Sequence, residues 1–234
     1  MKFNIYVPSY GRADRIIAAK NFEYCTYVVR KSEEKAYKDA GVENVLAVAD
    51  EEINSCSKVF VWIYKNAPEE VICVCDDDVS EFYYRIDTLD RIEDPVIVTR
   101  EIERLAQMLV DLEVGYLSLP ADMNVKFYDK PFRFVGIPGA IRIYNKTKFK
   151  AVDKGNLLYL SDVDIVLQEL MRNRIIMIPN YFVHKGAIDT NKGGNNNSKS
   201  MAAMNSENIV MKNKWGKYFI KGDSTKMWRI NVQR

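Results

Sequence analysis

Five apolar residues, Val71-Ile72-Cys73-Val74-Cys75, run without interruption into three aspartates, Asp76-Asp77-Asp78. A strand that is apolar on both sides is one covered on both faces, as happens in parallel sheets. Strand-like and helix-like segments alternate ahead of it. Residues 2–7 form a short strand ended by the turn Pro8-Ser9-Tyr10-Gly11, and residues 13–22 place Ile16, Ile17 and Ala19 at helical spacing. A second strand at 27–30, a charged helix at 32–40 stopped by Gly41, a third strand at 45–48 and a mostly buried helix at 55–66 follow. Such alternation predicts an α/β chain with a mostly parallel sheet between helices. Its right-handed crossovers bring the C-terminal strand ends to one edge, where ligands bind.

The second half is less regular. Thr99 reads as the cap of a helix carrying Ile102, Leu105, Leu109 and Leu112, stopped by Gly115. Segments 115–119 and 134–144 are strand-like, the latter broken at Pro138-Gly139. A strong helix at 161–173 precedes apolar strands at 175–178 and 181–183. Residues 190–200, rich in Gly and Asn, cannot hold a regular element and read as a mobile loop. With no internal repeat or linker, the 234 residues make a single domain in three parts: 1–80, 81–184 and 185–234.

At 47% hydrophobic residues the chain can bury a core and is not disordered. No apolar run approaches the roughly 20 residues of a membrane helix, and the N-terminus reads as a strand and not a secretion signal. Cys25, Cys56, Cys73 and Cys75 form no CxxC pair, which suggests a reduced, cytoplasmic protein. Charge is divided along the chain. Residues 1–184 carry 24 Lys/Arg against 29 Asp/Glu, and residues 185–234 carry 10 against 3. The basic C-terminal quarter either meets something anionic or is a solvated lysine-rich surface.

Three adjacent carboxylates at an apolar strand end repel one another. A divalent cation such as Mg²⁺ or Mn²⁺ would relieve that repulsion, the alternative being an exposed acidic turn. Ser161-Asp162-Val163-Asp164 opens a helix as a capping box of Ser161 and Asp164, leaving Asp162 over. A carboxylate in a first helical turn is kept ionised by the helix dipole, which suits a base taking a proton from an alcohol. His184, the only histidine, ends a strand and is either structural or a ligand beside the acidic cluster. Pro8, Ser9, Tyr10, Gly11 and Arg12 offer amides, an aromatic face and a guanidinium, fit for a nucleotide base or phosphate. Lys192 in the Asn/Gly loop and Lys214 in Lys214-Trp215-Gly216-Lys217 could close over phosphates, or simply belong to a loop.

In this order the pieces resemble a glycosyltransferase of the GT-A fold over nearly the whole chain. Within that fold, Pro8–Arg12, the Asn/Gly loop and Lys214–Lys217 look like the TET-associated glycosyltransferases of bacteriophages, which modify DNA. The resemblance implies a Rossmann-like donor half and a mixed acceptor half, and a metal-dependent, inverting hexosyl- or pentosyltransferase. Asp76, Asp78 and His184 would hold Mn²⁺ or Mg²⁺ on the diphosphate of a nucleotide-sugar, UDP-linked above all. Asp76 or Asp77 would bond the ribose, Pro8–Arg12 and Arg30 would hold the nucleoside, and Lys192 and Lys214 would bind phosphate. Asp162, standing where the family has Glu-Asp and this chain has Ser161-Asp162, would be the catalytic base. The implied acceptor is a hydroxymethylated pyrimidine in phage DNA, inside the infected host's cytoplasm. Rival readings are a transferase acting on a polysaccharide, lipid carrier or small molecule, a nucleotidyltransferase, and a non-catalytic DNA-binding accessory protein.

Overall fold

Runs of β-branched and aromatic residues build a six-stranded sheet. The computed structural model describes residues 1–152, 157–186, 200–221 and 228–233. Strands β1 (Phe3–Pro8), β2 (Thr26–Arg30) and β3 (Val45–Val48) alternate with helices α1 (Glu34–Asp39) and α2 (Cys56–Asn66) before β4 (Val71–Cys75). The hairpin β5 (Val79–Arg85) and β6 (Leu89–Ile92) and the long helix α3 (Pro95–Asp111) come next. They are followed by β7 (Tyr116–Leu119), β8 (Phe132–Arg133), β9 (Ile141–Asn145), α4 (Ser161–Arg172), β10 (Ile178–Pro179) and β11 (Phe182–Gly186). Helix α5 (Met201–Trp215) and the hairpin strands β12 (Phe219–Lys221) and β13 (Trp228–Ile230) complete the described elements.

The main sheet has the order β3-β2-β1-β4-β9-β7, with the first four strands parallel and β9 antiparallel to both neighbours. Pleating divides the side chains between two cores. Ile5, Val7, Cys73 and Cys75 pack with Ile102, Leu105 and Leu109 of α3. Tyr6, Val28, Ile72 and Val74 pack on the opposite face with Val59 and Ile63 of α2 and Ile165 and Val166 of α4. The apolar run through β4 is thus buried throughout, as its sequence requires. A smaller sheet, β11-β5-β6, leans on the first through Phe82 and Phe182, stacked 5.5 Å apart.

Several local expectations are corrected. Residues 13–22 do not form a helix; only Ala18–Asn21 make a 3₁₀ turn, because Ser9 and Arg12 are tied to Asp77 and hold the preceding chain across the sheet edge. Asp94, not Thr99, caps α3, with Pro95 at the first helical position, where a missing N–H costs nothing. Thr99 lies inside the helix, bonding back to Pro95 O and accepting from the Glu23 amide. The segment 134–144 is a strand only from Ile141, and of 175–178 only Ile178 lies in one, paired with Arg133. Ser161 and Asp164 form no capping box: Leu160 is the cap position and no side chain caps α4.

Candidate active site

The parallel strands β1 and β4 end together, which sets the loop Pro8–Arg12 beside Asp76–Asp78. Pro8 is registered on Val28, and the Ser9 amide donates to Val28 O at 3.1 Å. Gly11 adopts φ +65°, a left-handed turn suited to glycine, and its amide donates to Glu33 Oε1 at 2.9 Å. The Ser9 hydroxyl and the Arg12 guanidinium both donate to the buried Asp77 carboxylate, and Ser9 also bonds Tyr37 at 2.7 Å. Burial raises the Asp77 pKa, while Ser9 and Arg12 oppose the rise. Arg12 also stands 3.8 Å from Asp78. On the outer side of this loop, Arg30 lies 3.8 Å over the ring of Tyr10, which is 42% exposed.

The antiparallel strand β9 brings in a residue the sequence reading did not single out. Arg142 is buried, donates to Asp76 and lies 4.4 Å from the ring centroid of Phe60 on α2. Its Nε has no protein partner among the described residues. The available signal was a lone cation inside Ile141-Arg142-Ile143-Tyr144, a strand covered on both faces.

Asp162, second residue of α4, faces the same cluster. Burial pushes its carboxyl up to about 6 and Asp76 pushes the same way, against the pull of Arg142 and of the Val163 amide, 2.7 Å away. Cys56, at the start of α2, is pushed up to about 12 by burial and also feels Asp76, Arg142, Asp162 and Asp77. The acidic strand end, the first turn of α4 and the first turn of α2 therefore meet around Arg142.

His184 reaches this edge from β11. Its Nε2 accepts from the Ala140 amide at 3.0 Å, and the Ala140 carbonyl accepts from the Asp76 amide at 3.0 Å. Gly139 is required here: a Cβ would lie 2.1 Å from Leu119 O and 2.9 Å from His184 Cε1. Burial, followed by the Arg142 charge, lowers the imidazole to about 4, so it is neutral at pH 7.

A metal held by Asp76, Asp78 and His184 does not fit this arrangement. With Nε2 accepting, the imidazole proton sits on Nδ1, so neither nitrogen offers a lone pair. Asp76 is engaged by Arg142, and among the described residues no three His, Cys, Asp or Glu side chains gather around one point. The positive charge demanded by three adjacent carboxylates comes from Arg12 and Arg142. Mn²⁺ or Mg²⁺ at this triad would have to displace Arg142 from Asp76 and the Ala140 amide from His184. The Lys214 ammonium lies 2.7 Å from Asp164 and ties α5 to α4. Lys192 lies outside the described residues.

No family model matches the sequence, and no curated protein matches it. Solved structures do. Glucosyl-3-phosphoglycerate synthase from Mycobacterium tuberculosis, in complex with Mn²⁺, UDP-glucose and phosphoglyceric acid, superposes with a TM-score of 0.53 at 7% identity, covering 90% of this chain and 79% of that one. The mannosyltransferase PcManGT from Pyrobaculum calidifontis, in complex with GDP-mannose and Mn²⁺, gives 0.52 at 14% identity, covering 82% and 58%. The fold is GT-A. TarS residues 1–349 of S. aureus match at 0.49 and 12% identity over 91% of this chain, which spans 66% of that structure. Among the described residues no helix is long and apolar enough to cross a membrane.

Proposed function

We propose that the chain is a glycosyltransferase that moves a sugar from a nucleotide-sugar, UDP-linked by preference, onto a hydroxyl group, with inversion. The observation that carries this reading is the meeting of the Pro8–Arg12 loop, the Asp76–Asp78 strand end and Asp162 around Arg142 in a GT-A fold. The known structures of that fold include nucleotide-sugar complexes. Tyr10, backed by Arg30, offers a face for the base, and the loop amides and Asp77 border the place for the ribose. Arg12 and Arg142, paired with Asp77 and Asp76, offset the negative charge that the departing diphosphate would otherwise meet at this edge, and such fixed cations act without reorganising. Asp162 removes the acceptor's proton as its oxygen attacks the anomeric carbon. Its raised pKa keeps it basic enough to bind that proton, yet mostly ionised at pH 7.

The acceptor we propose is a hydroxymethylated pyrimidine in DNA. Lys212, Lys217 and Arg229 are exposed near the C-terminus, with Tyr218 beside Lys217. Such exposed cations would pair with backbone phosphates, and binding through them would weaken as salt rises. A base in duplex DNA must leave the stack to reach Asp162.

Two results are expected from binding measurements. In a thermal-shift panel of UDP, GDP, their sugars and DNA, run in Mn²⁺ and again in EDTA, a nucleoside diphosphate or its sugar raises Tm in at least one buffer. Stabilisation by DNA alone would favour the non-catalytic DNA-binding reading. Secondly, Asp77→Ala frees Ser9 and Arg12 and leaves the loop unanchored. By calorimetry, UDP affinity should fall by roughly tenfold, the worth of one charged hydrogen bond; unchanged affinity would remove Asp77 and its loop from the donor site.

A further inference from the structure

We infer that helix α5 fixes the position of Asp162, with Glu207 as the positioning residue; this rests on Asp162 being the base. The amides that open a helix have no acceptors within it, and α4 has no side-chain cap of its own. Three consecutive amides at its entrance, those of Leu158, Tyr159 and Leu160, instead donate to the Glu207 carboxylate at 2.6, 2.9 and 3.0 Å. Glu207 lies 47 to 49 residues further along the chain and is only 9% exposed. A buried carboxylate is tolerated where it accepts several N–H bonds, and such charge-assisted bonds are the strong ones.

A second clasp lies two residues beyond Asp162. Asp164 accepts from Lys214 Nζ at 2.8 Å, from Trp215 Nε1 at 2.7 Å and from Gln168 Nε2 at 2.8 Å. Lys214 and Trp215 belong to α5. Between the clasps, Leu160, Val163 and Leu167 pack against Met211, Trp215 and Phe219. Asp162 is thus bracketed on both sides by ties to one helix, and neither tie touches the donor loop. This gives α5 a task in catalysis: a reacting group displaced by about 1 Å can cost 10²-fold in rate.

Glu207→Ala and the isosteric Glu207→Gln in the full chain test the inference. In Glu207→Ala, hydrogen exchange at the Leu158, Tyr159 and Leu160 amides should rise at least tenfold over exchange in β1 and β4. The Asp162 titration midpoint, read by NMR, should fall from about 6 toward the ordinary aspartate range as the first turn of α4 loosens. Turnover should drop 10- to 100-fold with donor KM unchanged, and the Gln variant should fall between, since its carbonyl can keep some of the three bonds. Should the Ala variant not fold, Glu207→Gln and Lys214→Met give the same readouts. Unchanged exchange, or an unchanged Asp162 midpoint once the amides are released, would overturn the inference. If both move but the wild type transfers no sugar, the positioning of Asp162 by α5 stands and its reading as the base falls.

Discussion

Asp162→Asn should abolish sugar transfer and make the protein more stable. The loss of activity follows from the proton: asparagine has nearly the same shape but cannot accept it, and losing a general base costs about 10²–10⁴-fold. Nucleotide affinity should be untouched, because the donor loop is anchored on Asp77 through Ser9 and Arg12. The gain in stability follows from linkage. Burial holds the folded carboxyl near 6, above the ordinary aspartate value, so the folded state binds the proton more tightly than the unfolded chain does. The stability contributed by that proton is fully present below about pH 4 and is lost as pH rises through 6. At pH 7–8 the wild type therefore carries an ionised carboxylate in an unfavourable place. A shift of that size corresponds to about 3 kcal/mol, and partial exposure brings the expected gain to about 1–2 kcal/mol. In thermal melts the variant should exceed the wild type at pH 7.5, and the difference should close as pH falls from 6 to 4. A variant that is active, or whose stability advantage over the wild type is no larger at pH 7.5 than at pH 4, would remove Asp162 from the buried base position.

Arg142→Met should be among the most damaging single substitutions. It removes the cation bound to Asp76 and facing Asp162, and leaves these carboxylates uncompensated. Removing one partner of a fully buried pair costs about 3–5 kcal/mol. The Asp76 side chain is 40% exposed and water screens it, so the expected loss is about 1–3 kcal/mol. The cost depends on charged carboxylates, so it should be largest at pH 7–8 and should shrink toward pH 4. Without the guanidinium, Asp162 titrates higher, and the acid limb of the pH–rate profile should move to higher pH in whatever folded protein remains. Arg142→Lys should recover part of the stability but less of the activity, since an ammonium lacks the planar fork that both bonds Asp76 and lies over Phe60. Urea melts at two pH values give the stability result; a pH-independent loss would mean that Arg142 acts through packing alone.

The parts of this site that local sequence could reveal are those where one segment carries the whole signal. The apolar run into Asp76–Asp78 specified both a buried parallel strand and an acid cluster at its open end. The strength of α4 and the extra carboxylate in its first turn drew notice to Asp162. The sole histidine lies on the expected strand but inside it, since β11 runs on to Gly186 through its pairing with β5. What stayed hidden depends on pairs distant in sequence. Arg142 answers the charge of Asp76 from 66 residues away, so the cation expected from the aspartates came from the protein itself. Asp164 looks like half of a capping box only while Lys214 and Trp215, 50 and 51 residues away, are out of view. The β5–β6 hairpin escaped notice because its mixed polar and aromatic residues show no clean alternation, and their partner β11 lies a hundred positions on.

The central claim is that sugar leaves a nucleotide at this sheet edge under the control of Asp162. Its most direct test is nucleoside diphosphate release from UDP- and GDP-sugars, with hydroxymethylpyrimidine DNA present, for the wild type and Asp162→Asn. Release by the wild type and none by the variant is the predicted result. No release by the wild type from any donor, or equal release by both proteins, would contradict it.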